Sequence, residues 1–241
     1  MERFGNVLRL QAMPDDYDVE RETEFNREKL QTVIPNRIQE LIDIIKGRKN
    51  NSVDTWYDDL IIKILLSVDR TCRDLLKTMD QESVPGAAWN ARNLLELWVW
   101  IKYCAASQEN ARRFYEDALR DMEGLTDALS RLHELRQVPN QFEASARQKI
   151  AEVAREKLGL KLLDGNFARV ADAAKSIGLH PWFSANNIFL SKFAHPTAAL
   201  VLGIMHQTKA LRNLQAMLTT DGVYFAGKCV IALAEIALSI P

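Results

Sequence analysis

Two pairs of side chains in this sequence have types and spacings that suit acid–base chemistry. In the stretch FLSKFAHPTA, residues 189–198, Ser191 and His195 lie one helical turn apart and a proline follows the histidine. In the stretch ARNLLELWVW, Arg92 and Glu96 are also four residues apart, so they share one face of a helix. An imidazole can act as a general acid or base, a guanidinium can stabilise negative charge, and a carboxylate can orient either group.

The helices that must position these residues are rich in apolar side chains. From Leu94 to Ile101 every residue except Glu96 is apolar, and a helix that is apolar on all sides is usually buried. A buried charge costs several kcal/mol unless it is paired. Proline disfavours helical geometry for the residue before it, so His195 is predicted to join the end of one helix to the start of the next. We therefore predict that the four side chains meet as one buried polar cluster.

Two interpretations of this polar cluster stay open. In the first, it fixes the register of the helices and has no further role. In the second, it is a catalytic or ligand-binding site, since titratable groups in unusual surroundings concentrate at functional sites. Further candidates for substrate contacts lie beside it: Tyr103, Lys192 and Asn187. Full burial also predicts that Glu96→Ala destabilises the fold by about 3 kcal/mol or more.

The sequence contains no motif for a metal or a cofactor. The four histidines, at positions 133, 180, 195 and 206, lack metal-ligand spacing, and neither His-Glu-x-x-His nor Glu-x-x-His occurs. Neither the phosphate-binding loop Gly-x-x-x-x-Gly-Lys-Ser/Thr nor the dinucleotide motif Gly-x-Gly-x-x-Gly is found. We therefore expect no metal and no cofactor.

Charge and composition argue against a bulk attraction for polyanions. The 241 residues carry 31 basic and 32 acidic side chains, for a net charge of −1, which gives no bulk electrostatic basis for binding nucleic acid or an anionic membrane. The three cysteines, Cys72, Cys104 and Cys229, are expected to be reduced core thiols. With no signal peptide and no long uncharged apolar span, the sequence predicts a cytoplasmic protein that does not enter a membrane.

Apolar residues recur at helical spacing along the chain, and strand patterns are missing. This predicts an all-α fold, a single helical-bundle domain of about eight to nine helices over residues 21–241. Residues 1–20 are predicted to form a flexible N-terminal arm. Asp221 and Gly222 are expected to separate one helix from a last one, whose excess apolar surface predicts a homodimer. Four tryptophans are expected to pack in the core: Trp56, Trp89, Trp98 and Trp100.

The Arg-x-x-x-Glu of ARNLLELWVWIKY, the charged ARRFYEDALRDMEGL after it and the Ser-x-x-x-His-Pro of LSKFAHPT resemble a bacterial helical family, catalogued as domain of unknown function 5677. The resemblance covers about residues 55–235. It implies an all-helical fold and marks four positions without assigning an activity: Arg92, Glu96, Ser191 and His195. A weaker resemblance is to the HEPN helical ribonucleases of bacterial toxin and antiphage systems. These use an arginine followed four to six residues later by a histidine, a pattern that is absent around His195.

Two classes of function are consistent with these features. The first is an interaction or regulatory module of a bacterial antiviral defence or toxin-type system, with a protein partner or a second copy of itself. The alternative is a metal-independent, ribonuclease-like effector in which His195 is the general acid or base, Arg92 stabilises phosphate charge and Glu96 orients one of them. RNA is a partner only in the alternative. Solvent access distinguishes the two, because a catalytic cluster must open to a pocket.

Overall fold

The computed structural model describes residues 18–49, 55–136, 149, 152, 169–197, 200 and 208–239. Within these ranges it contains eight α-helices and no β-strand, so the predicted all-α single domain is confirmed. In chain order the helices are α1 (Val19–Glu28), α2 (Ile34–Lys49), α3 (Thr55–Asp80), α4 (Val84–Ala106), α5 (Gln108–Leu135), α6 (Val170–Ser176), α7 (His180–Ala194) and α8 (Thr208–Ser239). A helical sequence pattern over 141–158 lies outside the described ranges except at two residues.

Helix α4 is the central element because it is apolar on nearly all sides. It packs against α3, α5, α6, α7 and α8. Ala87, Ala91, Leu94 and Leu95 are all fully buried, and the alanines let the neighbouring helices approach closely. Complete burial of one leucine stabilises the fold by roughly 1.5–3 kcal/mol relative to exposure. The helix that carries Arg92 is therefore held firmly by the core on its other sides.

Helix α8 runs unbroken from Thr208 to Ser239, so the expected break at Asp221 and Gly222 is wrong. Gly222 is buried where α8 crosses α3 and α4, and a Cβ there would lie 2.5 Å from Leu75 Cδ2. The glycine therefore allows a close approach between helices and does not end one. Packing at this crossing outweighs the low helix propensity of glycine, which costs about 1 kcal/mol relative to alanine.

The predicted N-terminal arm, residues 1–20, overlaps the start of the first helix. Residues 1–17 lie outside the described ranges, but α1 already begins at Val19, with Asp18 capping its first turn. The buried Asn26 donates a hydrogen bond to Thr220 on α8 at 2.8 Å, which ties α1 to the core. The acidic residues here thus belong to the first turn of a docked helix, where negative side chains interact favourably with the helix dipole.

A π-helical segment over Lys29–Val33 joins α1 to α2. Pro35 follows it within two residues and has no N–H to donate to the preceding turn. The helix is therefore irregular at Pro35, as a widened turn just before it.

The three cysteines are free and buried, as predicted. Burial raises the pKa of the Cys72 and Cys104 thiols to about 12, so both stay protonated and unreactive at neutral pH. Across the part of the chain that the structure describes, no helix is both long enough and apolar enough to cross a bilayer.

Candidate functional site

Helix α4 supplies a charged pair at its edge. Arg92 and Glu96 lie one turn apart on the same face, and Arg92 Nη2 is 3.1 Å from Glu96 Oε1. The two side chains are 25% and 28% exposed. The pair therefore lies at the boundary between the apolar centre of the fold and its surface.

Helix α7 supplies the groups that Arg92 contacts across the helix pair. Asn187, Ser191 and His195 follow one another at four-residue intervals, so they form one stripe along α7. Arg92 Nε donates a hydrogen bond to Asn187 Oδ1 at 2.8 Å, and Arg92 Nη1 lies 3.1 Å from His195 Nε2. Each of the three guanidinium nitrogens thus has one partner. Together these residues form the Arg92 cluster: Arg92, Glu96, Asn187 and His195.

The contact between Arg92 and His195 defines the state of the imidazole. A guanidinium has N–H donors and no acceptor, so His195 Nε2 must be the unprotonated, accepting nitrogen in this hydrogen bond. The proton of the neutral ring is then on Nδ1. Protonation of Nε2 would remove the hydrogen bond and place two cations 3.1 Å apart. The arrangement therefore occupies the lone pair that a general base would use at Nε2.

The predicted proximity of the two helices at this point is confirmed, whereas the predicted burial of the cluster is wrong. His195 is exposed and Asn187 is only partly buried. The reason is that His195 lies at the C-terminus of α7 and leaves the helix in an extended conformation, at φ −117° and ψ 155°. Pro196 disfavours helical geometry there, as the sequence predicts. The Thr197 hydroxyl accepts a hydrogen bond from Leu200 N at 3.4 Å.

Glu96 also lines a cavity of about 420 Å³ between α4, α5 and the start of α6. The pKa of Glu96 is raised, because desolvation outweighs the opposing effects of the Arg92 charge and its hydrogen bond. The other walls include aromatic rings, two further carboxylates and one guanidinium: Trp100, Phe114, Asp117, Asp121 and Arg169. Among the residues that the structure describes, no three histidine, cysteine or carboxylate side chains are placed to hold a metal ion. The cluster thus has open space at Glu96 as well as an exposed imidazole.

The remaining predicted site residues lie apart from these contacts. Ser191 occupies the middle of the α7 stripe and is partly buried, and Lys192 next to it is exposed. Tyr103 is buried two turns further along α4, and its ring packs against Trp100 with 5.8 Å between ring centroids. Burial raises the pKa of the Tyr103 phenol, so this group stays protonated at neutral pH. Tyr103 therefore belongs to the core and not to the Arg92 cluster.

Trp89 was predicted to lie in the core, and this prediction is wrong. Trp89 is 47% exposed, and its ring meets the His195 imidazole edge to face with 5.8 Å between centroids. The signal was present in the spacing, because Trp89 lies three residues before Arg92 and shares its face of α4. The other tryptophans expected in the core do pack against it: Trp56, Trp98 and Trp100.

The resemblance to domain of unknown function 5677 stays a prediction, and so does the weaker one to the HEPN ribonucleases. The geometry of the Arg92 cluster is compatible with two roles. The cluster can link two helices through a guanidinium that has a partner at each nitrogen, or it can present an imidazole beside a cation to solvent. Neither a protein-family model, nor a curated protein, nor a solved structure matches the chain.

Proposed function

We propose that this protein is a helical interaction or regulatory module of a bacterial defence or toxin-type system, acting in the cytoplasm, and that the Arg92 cluster holds its framework together. One observation carries the proposal: all three guanidinium nitrogens of Arg92 are engaged by side chains of the protein itself. A guanidinium used in this way has few donors left for a substrate. The cluster acts as a polar joint that fixes the register of α4 against α7.

An interaction module needs a surface on which a partner is recognised, and exposed apolar side chains supply one. Tyr224, Ile231 and Leu238 on α8 are 44%, 57% and 71% exposed. Exposed apolar residues scattered singly are ordinary, whereas a row of them on one helix face is typical of a contact surface. These three follow one another at seven-residue intervals and form such a row. We therefore propose that the partner binds to α8 and that the role of the Arg92 cluster is structural.

A second candidate function is the metal-independent, ribonuclease-like effector. What favours it is the exposure of His195, 3.1 Å from Arg92 and beside the exposed ring of Trp89. In that mechanism His195 is the general acid or base, Arg92 stabilises phosphate charge and Glu96 orients one of them. An aromatic ring beside a cation also suits the stacking of a nucleobase. This chemistry requires Arg92 to release His195 Nε2 when the substrate binds.

The experiment that separates the two candidates removes proton transfer while keeping the contact. Glutamine at position 195 can accept a hydrogen bond from Arg92 but cannot exchange a proton at neutral pH. The cellular effect of the protein, measured as growth inhibition or phage protection, is compared for wild type, His195→Gln and Ile231→Glu. The proposed function predicts that His195→Gln retains the effect and that Ile231→Glu loses it.

The opposite pattern would support the effector: loss of the effect in His195→Gln, retention in Ile231→Glu, and cleavage of RNA by the purified wild-type protein. Leu66→Glu is the matched control, because Leu66 on α3 is 52% exposed and belongs neither to the Arg92 cluster nor to the α8 row. Thermal melts of the three variants establish that loss of the effect is not loss of the fold.

A further inference from the structure

Helix α8 carries a second apolar stripe that does not face its own core. Tyr224, Ile231 and Leu238 are spaced by seven residues, and the small residues Gly227 and Ala234 lie between them. A Cβ at Gly227 would meet no atom within 4 Å, so the surface is open there. Heptad spacing of this kind lets one helix keep contact with another along its length. The stripe extends over about 21 Å of helix, since each residue rises about 1.5 Å.

Two charges flank this stripe, and their positions are related by a twofold operation. Lys228 lies three residues before Ile231, and Glu235 lies four residues after it. In an antiparallel pair of α8 helices centred on Ile231, each Lys228 comes to the height of Glu235 on the other copy. In a parallel pair each charge would come to the height of its own copy on the opposite edge of the contact, so neither charge would meet an opposite one. The charges therefore select the antiparallel arrangement.

We infer that two copies of this protein pair through the α8 face, defined by Tyr224, Lys228, Ile231, Glu235 and Leu238, as an antiparallel dimer with its twofold axis at Ile231. The inference rests on the proposed function, because it names the partner of the interaction module. Tyr224 of each copy packs against Leu238 of the other, and Ile231 meets Ile231 at the axis. Because the same face is used twice, the contact closes on itself and gives a dimer and not a filament.

Both flanking charges have a partner within one protomer, and both lie close enough to the stripe for a second partner from another copy. Lys228 Nζ lies 5.2 Å from the centroid of the Tyr224 ring, which holds the ammonium beside the stripe. Glu235 Oε2 is 3.3 Å from Lys102 Nζ, yet the Glu235 side chain is still 62% exposed. Beside Glu235 lies a cavity of about 510 Å³ between α4, α8 and the end of α6.

The size of the face sets the expected strength of the dimer. A contact made by one helix pair lies at the small end of the interface scale, below about 1,200 Å² of total buried area. We therefore expect a dissociation constant in the micromolar range, and a mass that rises with protein concentration from one chain of 27.4 kDa towards two.

A charge exchange tests the inference with its own control. Light scattering coupled to size exclusion is run on wild type, Lys228→Glu, Glu235→Lys and the double exchange over a concentration series. Each single exchange places two pairs of like charges across the axis and is expected to weaken the dimer by about tenfold or more. The double exchange restores opposite charges across the axis and is expected to dimerise more tightly than either single exchange, although it leaves a lysine at position 235 beside Lys102. A double exchange no better than the singles, or a wild-type monomer at every concentration, overturns the inference.

Cross-linking tests the orientation separately. Ile231→Cys is expected to form a disulfide-linked dimer on mild oxidation, because this position lies at the axis. Tyr224→Cys and Leu238→Cys are expected to cross-link when the two variants are mixed and to give little dimer when each is oxidised alone. Efficient self-linking of both variants would contradict the antiparallel arrangement. The native cysteines do not interfere, because all three are buried.

Failure of the dimer and failure of the proposed function give different results. If wild type is a monomer but Ile231→Glu still loses the cellular effect while His195→Gln keeps it, the partner is another protein and the inference is wrong. If the dimer forms as described but the cellular effect depends on His195 and not on Ile231, the inference stands and the proposed function falls.

Discussion

The Arg92 cluster and the α8 face are both partly exposed, but they use their side chains in opposite ways. In the cluster, each guanidinium nitrogen of Arg92 has a partner within 3.1 Å on α4 or α7. On the α8 face, three apolar side chains remain between 44% and 71% exposed to water. The polar groups thus have partners within the chain, whereas the apolar side chains keep much of their surface in water, although the Tyr224 ring packs against Trp182.

The difference between the two regions shows that exposure alone does not identify a binding surface. A polar side chain at the surface loses little by staying there, and its hydrogen bonds to neighbours add rigidity. A row of apolar side chains gains free energy, at roughly 25 cal/mol per Å², whenever another surface covers it. An apolar driving force for an intermolecular contact is therefore present on α8, whereas the side chains capable of acid–base chemistry are in the Arg92 cluster.

The largest expected effect on stability comes from replacing the two glycines of α8. Gly222 lies on the side of α8 that faces the core and Gly227 on the open side, so the pair tests whether these sides differ. Gly222→Ala places a Cβ 2.5 Å from the buried Leu75 and is expected to lower the free energy of unfolding by about 2 kcal/mol. Gly227→Ala, five residues later on the open side, is expected to raise it by up to about 1 kcal/mol, because alanine favours the helix. Urea denaturation measures both. Equal losses in the two variants would show that the α8 face is covered.

Asp221 provides a second comparison with Glu96. Desolvation raises the pKa of both carboxylates, but the charge of Arg92 partly opposes this effect at Glu96. Burial raises the pKa of Asp221 from 3.8 to about 6. The folded protein therefore holds this proton more tightly than the unfolded chain does, and the associated stability is present below pH 3.8 and lost as the pH rises towards 6. Asp221→Asn is expected to stabilise the fold by about 2 kcal/mol near pH 8. The gain should vanish near pH 3.5, and an equal gain at both pH values would contradict the assignment.

The Arg92–Glu96 pair has a smaller expected effect than its sequence context suggests. Full burial predicts a loss of about 3 kcal/mol in Glu96→Ala. Since the two side chains are 25% and 28% exposed, we now expect a loss of about 1 kcal/mol, of the size of a partly screened ion pair. Thermal or urea unfolding against the exposed control Lys192→Ala measures it. A loss of 3 kcal/mol or more would mean that the pair is desolvated after all.

The smallest expected effect on stability is that of Ile231→Glu. Because the side chain is 57% exposed in one protomer, this variant should change the free energy of unfolding of the monomer by no more than about 0.5 kcal/mol. The measurement is made at low protein concentration, where the dimer contributes nothing. A loss above about 2 kcal/mol would place Ile231 in the core and remove the basis of the α8 face.

Much of the fold follows from local pattern, as α4 illustrates. Its apolar run predicted a central buried helix, and the four-residue spacing predicted that Arg92 and Glu96 share a face. The contact of Arg92 with His195 also followed from the sequence, because charges in an apolar helix need partners and the His-Pro junction had to end α7.

What could not be predicted depends on how the helices cross. Gly222 was expected to break a helix, but its role depends on Leu75, almost 150 residues earlier in the chain. Trp89 was expected in the core, but α4 reaches the surface near its N-terminus, so the ring lies beside an exposed His195. The degree of burial of Arg92 is likewise set by where α7 lies on α4. None of these quantities is encoded by the periodicity of a single segment.

Hydrogen exchange at two protein concentrations tests the central claim most directly, because it reports on both regions in one experiment. The claim is that the α8 face is the surface that binds another molecule and that the Arg92 cluster is complete within one protomer. It predicts that peptides covering 224–238 exchange more slowly at high concentration, that peptides covering 187–195 exchange equally at both, and that Ile231→Glu abolishes the difference. Slower exchange confined to 187–195, or no concentration dependence on α8, would contradict the account.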